Sequence, residues 1–382
     1  MPSPTGSSRW FRANLWLHRW SSLIATPLFL ILCISGAILI FHHEIDEALG
    51  YVPAAAETAR PPRPMSDAVD VVRAAYPDQR IATIAREPEE HPGLLSFFVT
   101  PKEDTGFERG KPVYVEEATA RLLPGADPAD TPTGFLLELH AQWFLGPLGE
   151  VIGAVIALLV VISLVSGIVV YAPYVRRIAF GVLRRGRGPR LLQLDLHNFI
   201  GAVVLGWLSI VTITGLCLGF GTIALAVWQN TELHSLKDQL DTGRRVDREN
   251  PPYAFDRALA AAEAAMPGWQ ANSIVFPDTD LSTPQHYTVL LYGQQGVRER
   301  LFRIALVEAD TGRVADIRDL PTYLQAIQVS QPLHFGDYGG VLLKLLWVVC
   351  SFLTLFITGN GAWLWWNRRR RKAPEAIVEP AA

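Results

Sequence analysis

Cysteine is scarce: Cys33, Cys217 and Cys350 are the whole complement, and each stands alone in a different apolar run. One cysteine per run excludes a disulfide framework and a thiolate metal cluster, so the three read as small buried apolar residues. Charge is also missing, but only locally. No Lys, Arg, Asp or Glu occurs between Trp20 and Phe41, between Val151 and Tyr174, or between Phe199 and Trp228. Ordinary soluble core helices are excluded there. A nucleotide or flavin fingerprint is absent as well. The glycine-containing stretch Arg184-Arg185-Gly186-Arg187-Gly188-Pro189 is too basic and follows no strand.

What is present is apolar: 49% of the 382 residues are hydrophobic and 11 are Trp. Four runs, at about 20–42, 151–174, 199–228 and 338–366, exceed the roughly 20 residues that a helix needs to cross a bilayer. The first is too long for a secretory leader and continues into Phe41-His42-His43-Glu44 without a small-residue cleavage site, so it is expected to be a retained span. Arg9, Arg12 and Arg19 precede the first run. Arg176, Arg177, Arg184, Arg185, Arg187 and Arg190 fill the segment between the second and third, and Arg368 to Lys372 follow the fourth. Basic flanks mark the cytoplasmic side. Trp10, Trp16, Trp363, Trp365 and Trp366 stand beside them as interfacial anchors.

The resulting division is 1–42 (cytoplasmic segment and first span), 43–145 (first periplasmic domain), 146–174 (second span) and 175–197 (basic loop). It continues with 198–228 (third span), 229–335 (second periplasmic domain), 336–366 (fourth span) and 367–382 (cytoplasmic tail). The location expected is a bacterial inner membrane, with lipids as neighbours and no nucleic-acid partner. In the first large segment a helix is predicted over 66–76, closed by Pro77, with strands at 94–100 and 112–115. The second repeats the order with a helix at about 254–266, strands near 285–292 and 300–307, and an Asp310-Thr311-Gly312 turn. Two small α+β domains are expected.

The chain also repeats itself. Leu17-His18, Leu139-His140, Leu196-His197 and Leu333-His334 open the four spans, and Ser35-Gly36, Ser166-Gly167, Thr214-Gly215 and Thr358-Gly359 lie near their ends. His18 to Gly36 and His197 to Gly215 are both 18 residues, whereas His140 to Gly167 is 27 and His334 to Gly359 is 25. Such spacing predicts a tandem duplication of helix, outer domain and helix, with the copies inserted the same way round. The fold class is therefore a mainly α membrane protein, a four-helix bundle with two α+β outer domains.

Opposite chain directions put His18 and His197 near the cytoplasmic face and His140 and His334 near the periplasmic face. Ionisable side chains at membrane depth are costly and mark function, and neutral imidazole is a good axial ligand for haem iron. Two b-type haems, one per pair, are expected, although histidines resting at the interface would explain any single one. His42 and His43 compete for the outer site without counterparts in the second copy. Lys344 and Arg19 are candidates for haem propionates, and Asp195 and Asp337 for orienting an imidazole. His91, His234 and His286 are expected to be surface residues.

The stretches Leu15-Trp16-Leu17-His18-Arg19-Trp20, Phe41-His42-His43-Glu44-Ile45-Asp46, Leu139-His140 with Leu145-Gly146 and Gly149, Asp195-Leu196-His197-Asn198 with Gly201, and Leu333-His334-Phe335-Gly336-Asp337-Tyr338-Gly339-Gly340 resemble the PepSY-associated transmembrane helix family over nearly the whole chain. Asp310-Thr311-Gly312 is similar to the turn of a PepSY module, whereas Glu116-Glu117-Ala118-Thr119 in the first segment lacks that signature. The resemblance implies a bacterial inner-membrane protein of iron uptake, related to di-haem reductases of ferric siderophores. It places His18 and His197 on a cytoplasmic haem and His140 and His334 on a periplasmic one. The substrate would be a ferric siderophore or other ferric chelate, and the electron donor a flavoprotein or quinol. Two other readings stay open: a membrane-anchored regulator of a periplasmic partner, and a haem or metal transporter.

Overall fold

The computed structural model describes residues 9–370 except 57–60, 87–90, 108, 176–178, 245, 295–298 and 300. Arg176, Arg177 and the tail 371–382 lie outside the described residues. In chain order the elements are α1 (Arg9–Leu39), α2 (His42–Ala48), α3 (Met65–Ala75), β1 (Gln79–Arg86), β2 (Leu94–Pro101), β3 (Lys111–Glu116), β4 (Arg121–Leu123), α4 (Pro132–Gln142), α5 (Pro147–Val175) and α6 (Pro189–Leu218). The second half follows with α7 (Gly221–Trp228), α8 (His234–Leu240), α9 (Phe255–Ala265), β5 (Trp269–Val275), β6 (His286–Gly293), β7 (Phe302–Glu308), β8 (Val314–Asp319), α10 (Thr322–Phe335) and α11 (Gly340–Arg370).

Four of these helices, α1, α5, α6 and α11, are long and apolar enough to cross a membrane. Two compact units emerge: one holds residues up to Ile40, Leu136–Phe220 and Ser330 onward, the other Phe41–Phe135 and Gly221–Val329. In the first, α1 and α6 each pack against both α5 and α11, which makes α1 and α6 opposite corners of a four-helix bundle. Phe29 and Leu164 join its two apolar clusters, one around Ala25, Ile156 and Val160 and the other around Val204, Leu208 and Ile357.

The structure corrects three expectations about the spans. The third was expected to run to residue 228 but ends at Leu218, and the Gly219-Phe220 turn separates it from α7. His140 and His334 do not open their spans: they sit on the short helices α4 and α10. Reversals through Trp143, Phe144 and Gly146 (φ 52°, 57° and 56°) and through Gly336 and Gly340 (φ 73° and 67°) divide these helices from α5 and α11. Those reversals account for the longer of the two spacings seen in the sequence.

In the second unit the two expected domains share one antiparallel sheet of eight strands, ordered β4-β3-β2-β1-β5-β6-β7-β8. The seam is β1 on β5, with Thr83 opposite Val275, Ile84 opposite Ile274 and Ala85 opposite Ser273. Each half has the order helix then four strands. Ala68, Val69 and Val72 of α3, and Phe255, Ala258 and Ala262 of α9, fall at helical spacing and are buried in one core with Ile84, Phe97, Ile274 and Val289. Fully burying one such aliphatic side chain contributes about 1.5–3 kcal/mol, so the seam residues weld the halves together.

The turn after β7 explains the one after β3. Thr311 Oγ1 donates to Glu308, and Gly312 has φ 75°, where a Cβ would lie 2.0 Å from the Tyr253 ring. After β3, Thr119 Oγ1 donates to Glu116 Oε2 at 2.6 Å and Ala120 takes φ 57°. The same turn is present with Ala in the glycine's place, so a motif search for glycine passes over it.

Candidate functional site

The four Leu-His histidines meet in two pairs. His18 of α1 faces His197 of α6 with ring centres 6.4 Å apart, and His140 of α4 faces His334 of α10 at 6.2 Å. Each pair joins an element of the first half of the chain to its counterpart in the second. His18 and Gly36 are both on α1, 18 residues apart, so the two layers are separated by about 27 Å along the helix.

Every ring rests on a glycine of a neighbouring helix. A Cβ added at Gly36 would lie 3.0 Å from His140, at Gly167 3.1 Å from His18, at Gly215 2.9 Å from His334 and at Gly361 3.4 Å from His197. Here the sequence reading needs correction. Gly359 has nothing within 4 Å of its added Cβ, and the fourth cradle is Asn360-Gly361, not Thr358-Gly359. His334 to Gly361 is 27 residues, the same as His140 to Gly167. The fourth pair escaped notice because Asn360 is neither Ser nor Thr.

The glycine allows the imidazole to reach the carbonyl one turn earlier on the same helix. His18 Nδ1 donates to the Ser163 carbonyl at 2.8 Å and His334 Nδ1 to that of Val211 at 2.9 Å. His140 stands on the Leu32 carbonyl, with Ser35 Oγ 2.9 Å from its Nδ1. With Nδ1–H committed to a carbonyl, the ring takes the tautomer whose Nε2 lone pair is free to bind a metal. His197 faces the Ile357 carbonyl, but its buried Nδ1 has no well-formed hydrogen bond among the described residues.

A metal-bound imidazole nitrogen lies about 2.0 Å from the ion and the ring centre roughly 1.1 Å beyond it, so two rings on opposite sides of one ion have centres about 6.3 Å apart. Both pairs match that spacing. All four histidines keep some accessible surface. Among the described residues no group of three or more His, Cys, Asp or Glu could hold a metal ion.

The other sequence candidates are elsewhere. The His42 and His43 rings lie 3.9 Å apart, tilted by 37°, in the sheet-containing unit, and His43 meets His91 at 5.7 Å, followed by Tyr114. Asp195 does not orient His197: it is buried against Arg184, whose Nη2 lies 2.7 Å away, and accepts a hydrogen bond from Tyr174 at 2.5 Å. Arg19 lies over Trp20, and its buried Nε has no hydrogen-bond partner among the described residues, which suits an anionic group beside His18. Lys344 is partly exposed in the second turn of α11.

His286 is not a surface residue. It is 2% exposed, bonded to Thr283 Oγ1 at 2.6 Å, and lines a small cavity with Gln285, Glu308 and Asp310. Desolvation holds its pKa below the usual histidine value, against the pull of Glu308. Glu308 lies below the ordinary glutamate range, first through the Thr311 hydroxyl and also through Arg313.

Among known proteins, the family model described as the PepSY-associated TM region matches residues 15–368. A relative named uncharacterized protein PA4219, from Pseudomonas aeruginosa, is 27% identical over 266 residues, covering 64% of this chain and 65% of its own length.

Proposed function

Because the chain belongs to the PepSY-associated TM region family, we propose that it is a di-haem b electron-transfer protein of the bacterial inner membrane that reduces ferric siderophores or other ferric chelates on the periplasmic side. The observation that carries this reading is the pair of diagonal histidine contacts at 6.4 and 6.2 Å, each seated on glycine. Haem iron with two imidazole ligands supplies a one-electron couple with no open position for oxygen.

The chain's own residues do the rest. His18 and His197 hold the cytoplasmic-side group, His140 and His334 the periplasmic-side one. Backbone carbonyls of Ser163 and Val211 fix two of the rings, and those of Leu32 and Ile357 stand under the other two; Arg19 neutralises a carboxylate near His18. Apolar packing around Phe29 and Leu164 keeps water out of the space between the layers. The matching halves are the two copies of a duplicated unit, with PepSY modules forming the sheet on the periplasmic side. A flavoprotein or quinol donates the electron. A hard-oxygen chelate holds Fe³⁺ more tightly than Fe²⁺, so accepting one electron loosens the metal.

The test is a reduced-minus-oxidised absorption spectrum of the purified full chain, followed by single His→Ala changes. Two low-spin haems are expected in the parent. His18→Ala and His197→Ala should remove one and the same haem, and His140→Ala and His334→Ala the other. Loss of neither haem in all four variants would refute the ligand assignment. Siderophore reduction by dithionite-reduced protein in proteoliposomes tests the substrate side.

A further inference from the structure

Three of the four cradles are built alike, and the fourth is not. Ser35, Ser166 and Thr214 each stand one residue before the cradle glycine. Each bonds back to its own helix: Ser35 Oγ donates to the Ile31 carbonyl at 2.8 Å, Ser166 Oγ to that of Ile162 at 2.6 Å and Thr214 Oγ1 to that of Ile210 at 2.8 Å. Those hydroxyls also lie 3.4, 3.1 and 3.1 Å from the Leu32, Ser163 and Val211 carbonyls that receive the histidines. In the fourth cradle the position is Asn360, whose Nδ2 reaches away from its helix to the Gln193 carbonyl on α6 at 2.9 Å. Asn360 Oδ1 is buried without a hydrogen-bond partner among the described residues, and the buried His197 Nδ1 has no well-formed bond beyond its approach to the Ile357 carbonyl.

From this contrast we infer that Asn360 is a positioning residue that sets the two haem sites apart: it ties α11 to α6 and leaves His197, among the described residues, the one imidazole of the four with no hydroxyl at Nδ1. The inference rests on the di-haem reading. Hydrogen bonding at Nδ1 makes the coordinating nitrogen more basic, which favours ferric iron and lowers the reduction potential. His18, His140 and His334 have that support. His197 has only the Ile357 carbonyl, without a well-formed bond and without a hydroxyl at Nδ1, so the His18–His197 site has a higher potential than it would have with a fourth hydroxyl cradle.

The unmatched acceptor also has a physical cost. A buried acceptor without a partner, as Asn360 Oδ1 is among the described residues, forfeits about 1–3 kcal/mol.

The experiment is spectroelectrochemistry of the purified full chain, resolving the two haem components. Asn360→Ser, which copies the other cradles, should lower the potential of one component and leave the second in place. Thr214→Asn, which copies the fourth cradle in the opposite layer, should raise the other component. Electron paramagnetic resonance should show the low-spin signal of the same single haem moving in each case. If both variants keep two haems at unshifted potentials, Asn360 has no such role, and the same holds if both components move together. A parent protein that binds no haem overturns the di-haem reading itself, an outcome seen before any variant is made.

Discussion

If the proposed haems are bound, alanine at the cradle glycines should displace them in proportion to how closely each imidazole rests on its helix. An added Cβ would stand 2.9 Å from His334 at Gly215 and 3.4 Å from His197 at Gly361. Carbon atoms pack comfortably at about 3.5–4.0 Å, so Gly215→Ala must push the ring by roughly 0.6–1 Å, whereas Gly361→Ala needs about 0.1–0.6 Å. Metal–ligand distances tolerate only about 0.2 Å, and overpacking of this kind costs about 1–3 kcal/mol. Gly215→Ala should lose the His140–His334 haem, and Gly361→Ala should retain most of both. Gly206→Ala is the control: it lies on the same helix as Gly215 with nothing within 4 Å, and Ala there should favour the helix by up to about 1 kcal/mol. Haem per protein, measured by pyridine haemochromogen after purification, gives the answer. Equal haem loss at Gly215 and Gly361, or a loss at Gly206 as large as at Gly215, would refute the cradle geometry.

The sheet unit offers two further checks. His286 has a lowered pKa in the folded chain, so the unfolded chain takes up its proton first as pH falls through about 6.5. Its contribution to stability is therefore complete above that value and is lost toward the lower folded pKa. The thermal midpoint of the full chain should fall between pH 7.5 and 5.5, and His286→Gln should flatten that slope. At the paired turns, Ala120→Gly should stabilise by up to about 1 kcal/mol, because an L-residue with positive φ is strained by about 1–2 kcal/mol while glycine returns part of that as chain entropy. Gly312→Ala should destabilise, since its Cβ would meet the Tyr253 ring; unfolding midpoints of the two variants should move in opposite directions.

Local pattern made the spans, the histidine set and the larger strands readable, because charge-free runs, Leu-His pairs and β-rich stretches are properties of neighbouring residues. Long-range features were hidden. Nothing in Thr83-Ile84-Ala85 says that it pairs with Ser273-Ile274-Val275 across the seam, so one sheet was read as two domains. The strands Gln79–Arg86 and Trp269–Val275 are hidden for a local reason: they follow their helices within a few residues and carry polar residues that suggest loops. Asn360 was missed because the cradle was sought as a hydroxyl beside glycine, when what the imidazole needs is the absent Cβ. His286 reads as a surface residue in the sequence because part of its surroundings, Glu308 of β7 and the nearby Asp310, lies far along the chain.

The 18-residue spacing itself makes a prediction. Eighteen residues are five turns of helix at 3.6 residues per turn, so His18 and Gly36 lie on the same face of α1, as His197 and Gly215 do on α6. Both layers therefore depend on a single face of each helix. Inserting one Ala after Leu30 would rotate Gly36 by about 100° relative to His18. His18 would stay opposite His197, while the surface against His140 would change from glycine to a side chain. The bundle still has an apolar stripe to bury, because the run Thr26 to Ile40 is apolar on every side of the helix apart from Thr26 and Ser35. One haem of the two should remain, with the spectrum of the His18–His197 site. A variant with both haems would show that Gly36 does not seat His140, and one with neither would show that α1 cannot turn without unseating His18.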